Sequence, residues 1–200
     1  MLRINQRVKG ITTLGPGVRY GLWVQGCTRA CPGCISPDAQ SLTGGYEMSI
    51  EALAREILET QGIEGITVSG GEPFLQQEAL ARLITMIRRE KDLGVIVYTG
   101  FTYPEIAVTE LAELCDAIID GPYMKEKNDG RSLRGSSNQR LILLTQRYQK
   151  TLRIGTPGRQ VKMYRAQEGS AVMVGVPSRS QMDYGEGIQR FLGEGDTDNG

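Results

Sequence analysis

The chain contains no histidine. That removes Ser/His and Cys/His nucleophile arrangements, histidine-bearing zinc sites and histidine acid–base catalysis. It also lacks an excess of either charge. Lys plus Arg and Asp plus Glu each number 23, so no global field recruits nucleic acid or an anionic membrane. Long hydrophobic runs are missing too: nothing approaches a membrane span, and the opening MLRINQRVKGITTLG has no apolar stretch of signal-peptide length. The expectation is a cytoplasmic protein with no nucleic-acid and no membrane partner. At 40% apolar and 23% charged residues, it should form one soluble core. In the reducing cytosol, cysteines signal metal binding or catalysis before disulfides.

Cysteines are few, four in all, but three stand together. GCTRACPGC at 26–34 carries Cys27, Cys31 and Cys34, and Cys115 lies far along the chain. Disulfides would leave one thiol over, and structural zinc normally takes four ligands. Iron–sulfur clusters are held by cysteine thiolates, usually four. A cubane on three thiolates keeps one iron open to a nitrogen or oxygen ligand. Gly26 and Gly33 suit a loop wrapped around inorganic sulfide, with backbone N–H groups turned to the sulfurs. The alternatives are three ordinary reduced thiols, or a zinc site completed by Cys115 or an acidic residue.

Short apolar runs alternate with helical patterns. Strands are expected over 19–26, 63–71, 94–100 and 116–122, and helices over 49–60, with Ser49 as N-cap, 77–91 and 104–114. Such alternation implies βαβ units and a parallel sheet, an α/β protein whose ligands gather at the carboxyl ends of the strands. Gly26–Cys34, Ser69–Pro73, Thr99–Gly100 and Asp120–Pro122 all fall at those ends. Beyond about residue 146 the pattern changes: VKMYRA and AVMVGV flank QEGS as a hairpin, and the glycine-rich acidic tail is expected to be disordered.

The spacing CxxxCxxC in QGCTRACPGC, followed by SGGEP at 69–73, resembles the radical S-adenosylmethionine superfamily. GPGVRYGLWVQGC (15–27), VYTGFTYPE (97–105), IIDGPY (118–123) and RGSSNQR (134–140) are similar to the activating proteins of anaerobic ribonucleoside-triphosphate reductase. The resemblance implies a partial (β/α) barrel over residues 1–146, with 147–200 as a C-terminal extension carrying the hairpin. It implies that Cys27, Cys31 and Cys34 hold a 4Fe–4S cluster, catalytic as well as metal-ligating, whose fourth iron chelates S-adenosylmethionine. Gly70 and Gly71 would let backbone approach the methionine moiety, with Glu72 accepting from its ammonium and Pro73 starting the next element. Read without the resemblance, SGGEP is an ordinary strand-to-helix turn. Thr99 and Asp120 would contact the cofactor's ribose or carboxylate, or merely cap strand ends. Ser137 and Asn138, in RGSSNQR, would face the cofactor or a partner's backbone, or merely cap the following LILLT.

The implied reaction is reductive cleavage of S-adenosylmethionine to a 5′-deoxyadenosyl radical. The implied partner is a glycyl-radical enzyme or other macromolecular substrate, with flavodoxin or ferredoxin as electron donor. Two departures stand out. Leu14 precedes GPG where the family commonly has Asp, and Gly occupies position 33, where many superfamily members place an aromatic residue. The competing readings are the same chemistry on a peptide, another protein or a small molecule such as a deazapurine precursor, and an iron–sulfur electron carrier.

Overall fold

A computed structural model describes residues 1–166 and 169–177. The acidic tail expected to be disordered lies outside the described residues, as do two positions of the QEGS loop. Strands β1 (Leu2–Ile11), β2 (Arg19–Val24), β3 (Tyr46–Met48), β4 (Gly65–Gly70), β5 (Gly94–Tyr98), β6 (Ala117–Asp120) and β7 (Arg140–Leu143) form one sheet, ordered β3-β1-β2-β4-β5-β6-β7. The four central strands β2, β4, β5 and β6 run parallel, and β1, β3 and β7 pair antiparallel at the flanks.

In the parallel part, spatial order follows chain order. With right-handed crossovers, every connecting helix then falls on the same face. Helix α1 (Ile50–Glu59) and α2 (Gln77–Arg88) supply Leu53, Ile57, Leu80, Leu83, Ile84 and Ile87 at helical spacing. These pack on Tyr20, Leu22, Val24, Ile66, Val68, Val95, Val97 and Ile118 of the sheet. Ser49 caps α1, its Oγ accepting from Ala52 N at 3.1 Å, as expected from its position.

The helix expected over 104–114 is broken in two, α3 (Tyr103–Ile106) and α4 (Glu110–Glu113). The Thr109 hydroxyl accepts from Ala112 N and restarts the helix, leaving Val108 91% exposed at the break.

The opposite sheet face cannot stay bare, because parallel strands are stable only when covered on both sides. Residues from the C-terminal part cover it. Tyr148 and Leu152 pack on Ile96, Ala117 and Ile119. The hairpin β8 (Val161–Arg165) and β9 (Ala171–Gly175) forms its own two-stranded sheet and places Val174 against Val8, Ile11 and Leu14. Leu14, the apolar departure noted in the sequence, is thus part of the floor on which the hairpin rests. Beneath this cover the Arg19 guanidinium is fully buried. It donates to Thr67 Oγ1 at 2.6 Å, Tyr148 OH at 2.7 Å and the carbonyls of Pro16, Ile66 and Gly94.

Candidate functional site

The sequence motifs meet at the carboxyl ends of the parallel strands. β2 runs into the cysteine loop, β4 into SGGEP, β5 into Thr99–Gly100 and β6 into Gly121–Pro122.

Buried Gln25 shapes the cysteine loop. Its Nε2 donates to Asp38 O at 3.0 Å and Ser41 O at 2.7 Å, drawing that segment back under the loop. The segment's carbonyls in turn take the first loop amides: Gly26 N to Ala39 O at 2.8 Å and Cys27 N to Gln40 O at 3.0 Å. Gln76 Nε2 holds Gln25 O at 2.9 Å. Sequence reasoning missed both glutamines. Their only signal was a polar residue beside each motif.

The three thiols are free and half-buried. The amide of Arg29 donates to Cys27 Sγ and that of Ser36 to Cys34 Sγ, each at 3.4 Å. Burial pushes the Cys27 thiol up, against the pull of the Arg29 and Ala30 amides. An all-sulfur donor set with backbone N–H groups on two sulfurs fits an iron–sulfur group. Among the described residues no three Cys, Asp or Glu side chains converge as a ready-made metal site. The three loop thiols are thus not drawn together as a preformed site, and no fourth ligand joins them among the described residues. Cys115 is not one: it is 0% exposed in the helix-side core, its Sγ donating to Leu111 O at 3.1 Å. That removes the zinc site completed by Cys115.

SGGEP is fitted tightly against this loop. A Cβ on Gly70 (φ +107°) would lie 2.5 Å from Val24 N and O, and one on Gly71 would collide with Gly26 O and lie 2.7 Å from Ala39 O. Gly71 N bonds Val24 O and Glu72 N bonds Gly26 O, both at 2.8 Å. The two glycines bring main chain against main chain of the cysteine loop. Glu72 is 1% exposed. Its Oε1 accepts from Thr99 Oγ1 at 2.7 Å and Phe74 N at 3.1 Å, and its Oε2 from Gly100 N at 2.8 Å. Burial raises its affinity for a proton, while those three donors work the other way. Three donors leave about one acceptor position of a carboxylate's four. Pro73 opens a 3-10 turn, Pro73–Gln76, as expected.

Asp120 is 0% exposed and committed within the chain. Arg140, directly opposite across β6 and β7, donates to both carboxylate oxygens at 3.0 and 2.5 Å, and Tyr103 N adds a third bond at 2.6 Å.

RGSSNQR is knitted onto the turn after β6. Asn138 Nδ2 donates to Pro122 O and Gln139 Nε2 to Gly121 O, at 2.7 and 3.0 Å, while Gln139 Oε1 takes the amide of Gly135. Buried Ser136 accepts from Met124 N. Ser137 is exposed, its amide bonded to Lys127 O. The Gln139 side chain is spent within the loop. Ser137 is open to outside contacts, whereas the Asn138 Oδ1 is buried and has no partner among the described residues.

A family profile described as the 4Fe-4S single cluster domain matches residues 13–142, from the floor before β2 to β7. Anaerobic ribonucleoside-triphosphate reductase-activating proteins are similar to this chain as well. That of Enterobacteria phage T4 is 33% identical over 134 residues, covering 64% of this chain and 85% of its own length. The Pasteurella multocida protein is 34% identical over 145 residues, 66% and 91% of the two chains, and the Escherichia coli K12 protein 31% over 138 residues, 62% and 88%.

The chain belongs to this activating-protein family. The hairpin β8–β9 lies beyond the profile match. Among the described residues, no helix is long and apolar enough to cross a membrane.

Proposed function

We propose that this family member is a radical S-adenosylmethionine enzyme that abstracts a hydrogen atom from a glycine of a partner glycyl-radical enzyme such as anaerobic ribonucleotide reductase. In this reading, residues 1–146 form a partial (β/α) barrel and 147–200 a C-terminal extension carrying the hairpin. Cys27, Cys31 and Cys34 hold a 4Fe–4S cluster on three sulfurs, with an external flavodoxin or ferredoxin as electron donor. When bound, the reduced cluster would supply one electron for the reductive cleavage of S-adenosylmethionine to methionine and a 5′-deoxyadenosyl radical.

The chain's own residues hold and orient. The amides of Arg29 and Ser36 on the cysteine sulfurs stabilise thiolate charge. Gly70 and Gly71 set Glu72 against the cysteine loop, and Thr99 with Gly100 N fixes its carboxylate, whose last acceptor position would be left for the cofactor's amino group. Asp120, locked by Arg140, keeps the end of β6 in place. No proton need be moved by a side chain, which accords with a chain without histidine.

The observation that carries this reading is the Glu72 N to Gly26 O bond, which seats the acidic turn directly on the three-thiol loop. The test mixes reduced, reconstituted protein and S-adenosylmethionine with anaerobic ribonucleotide reductase. A glycyl-radical doublet in electron paramagnetic resonance is expected. S-adenosylmethionine cleavage without that doublet would move the target to another peptide or small molecule, an outcome favoured by the hairpin outside the profile match.

A further inference from the structure

Arg29 has no role in the site described above beyond its backbone amide, yet its side chain crosses the site. It leaves the cysteine loop between two proposed ligands and reaches the turn after β5. There its guanidinium carbon stands 4.2 Å from the centroid of the Phe101 ring. Its ion pair with Glu105 Oε1 is long, 3.6 Å, and Glu105 is half-exposed. Glu105 does not depend on it, because Oε2 already accepts from Thr102 N at 2.6 Å and Thr102 Oγ1 at 2.7 Å in a capping box. Arg29 also flanks Glu72. A methyl group on Gly100 would sit 3.3 Å from Arg29 Cγ and 3.4 Å from Glu72 Oε2.

A guanidinium stem and a buried carboxylate therefore border one glycine, beside the thiols. An α-amino acid head bears a carboxylate and an amino group on a single carbon. Recognising it takes a fork of N–H donors for the first and an acceptor for the second, side by side. We propose that Arg29 is the specificity-determining residue for the carboxylate of S-adenosylmethionine. It exchanges its loose pairing with Glu105 for that carboxylate while remaining stacked on Phe101, as Glu72 takes the amino group. This rests on the cofactor reading given under Proposed function.

The test is equilibrium binding to the anaerobically reconstituted protein, without turnover, of S-adenosylmethionine and of its decarboxylated analogue. Wild type should prefer S-adenosylmethionine. Arg29→Ala should weaken S-adenosylmethionine about 10- to 100-fold, the scale of a lost charge-assisted bond, and leave the analogue unchanged, so that the preference narrows by that factor. Equal weakening of both ligands would mean that Arg29 only clamps the loop, and unchanged binding of both would mean that it does neither; each overturns the proposal. If Arg29→Ala fails to take up iron, Arg29→Lys decides. It keeps charge and stem but loses the fork, and should retain the cluster with a reduced preference; a full preference would refute the assignment. Wild type binding neither ligand would overturn the cofactor reading and this proposal with it.

Discussion

Gly71→Ala isolates the close fit between the acidic turn and the cysteine loop. Gly71 has no positive φ, so alanine brings no backbone strain of its own. Its Cβ, however, would press on Gly26 O and sit 2.7 Å from Ala39 O, with main chain on both sides and no flexible side chain to yield. The loop carrying Cys27 must then retreat by several tenths of an ångström. Overpacking of this kind costs about 1–3 kcal/mol, against a stability of about 5–15 kcal/mol for an ordinary domain. The protein should therefore fold, with its cysteine loop displaced. Gly62→Ala is the matched control. Gly62 has φ +71° and open space around it, so alanine there costs about 1–2 kcal/mol of left-handed strain and moves nothing near the site. Urea midpoints should fall similarly for both, while iron and sulfide uptake on anaerobic reconstitution should fall only for Gly71→Ala. Uptake equal to wild type in Gly71→Ala would refute the reasoning.

Replacing any of Cys27, Cys31 or Cys34 with Ala should abolish the cluster, whereas Cys115→Ala should keep it, as read by iron and sulfide analysis. Burial pushes the Cys115 thiol up to about 12, so alkylation of the folded apoprotein at mildly alkaline pH should spare it and mass spectrometry should find it modified only after unfolding. Tyr148→Phe removes an acceptor from the buried Arg19 guanidinium and should cost about 1–3 kcal/mol in urea unfolding. Glu72 holds its proton more tightly when folded than at its ordinary value of 4.5. Stability should therefore fall as pH climbs from 4.5 through the raised value, with the penalty complete above it. Glu72→Gln should flatten that part of the apoprotein's pH–stability curve, and an unchanged slope would contradict the assignment.

The parallel core was legible because its strands are short apolar runs bounded by glycine, and α1 and α2 carry apolar residues at strict helical spacing. The flanking strands were not. β1 spans LRINQRVKGI, where polar residues break the alternation and pairing with β2 passes through two register irregularities. β3 is three residues long and largely exposed. The helix over 104–114 misled because its apolar spacing is sound, while Thr109 caps a new turn through its own hydroxyl. At the site, residue type and spacing revealed the thiols and the acidic turn. They could not reveal what each side chain binds. Asp120 reads as a strand-end carboxylate open to the cofactor until the antiparallel return of β7 sets Arg140 opposite it, and nothing in RGSSNQR shows that Gln139 folds back on Gly121. Those contacts join residues 18 to 20 positions apart through a loop, beyond the reach of local periodicity.

The most direct test of the central claim is chromatographic measurement of 5′-deoxyadenosine after strictly anaerobic incubation of reconstituted protein with dithionite and S-adenosylmethionine. The account predicts 5′-deoxyadenosine and methionine in equal amounts from wild type and none from Cys27→Ala. A wild-type protein that carries its cluster and yields no 5′-deoxyadenosine would contradict it and leave an electron carrier.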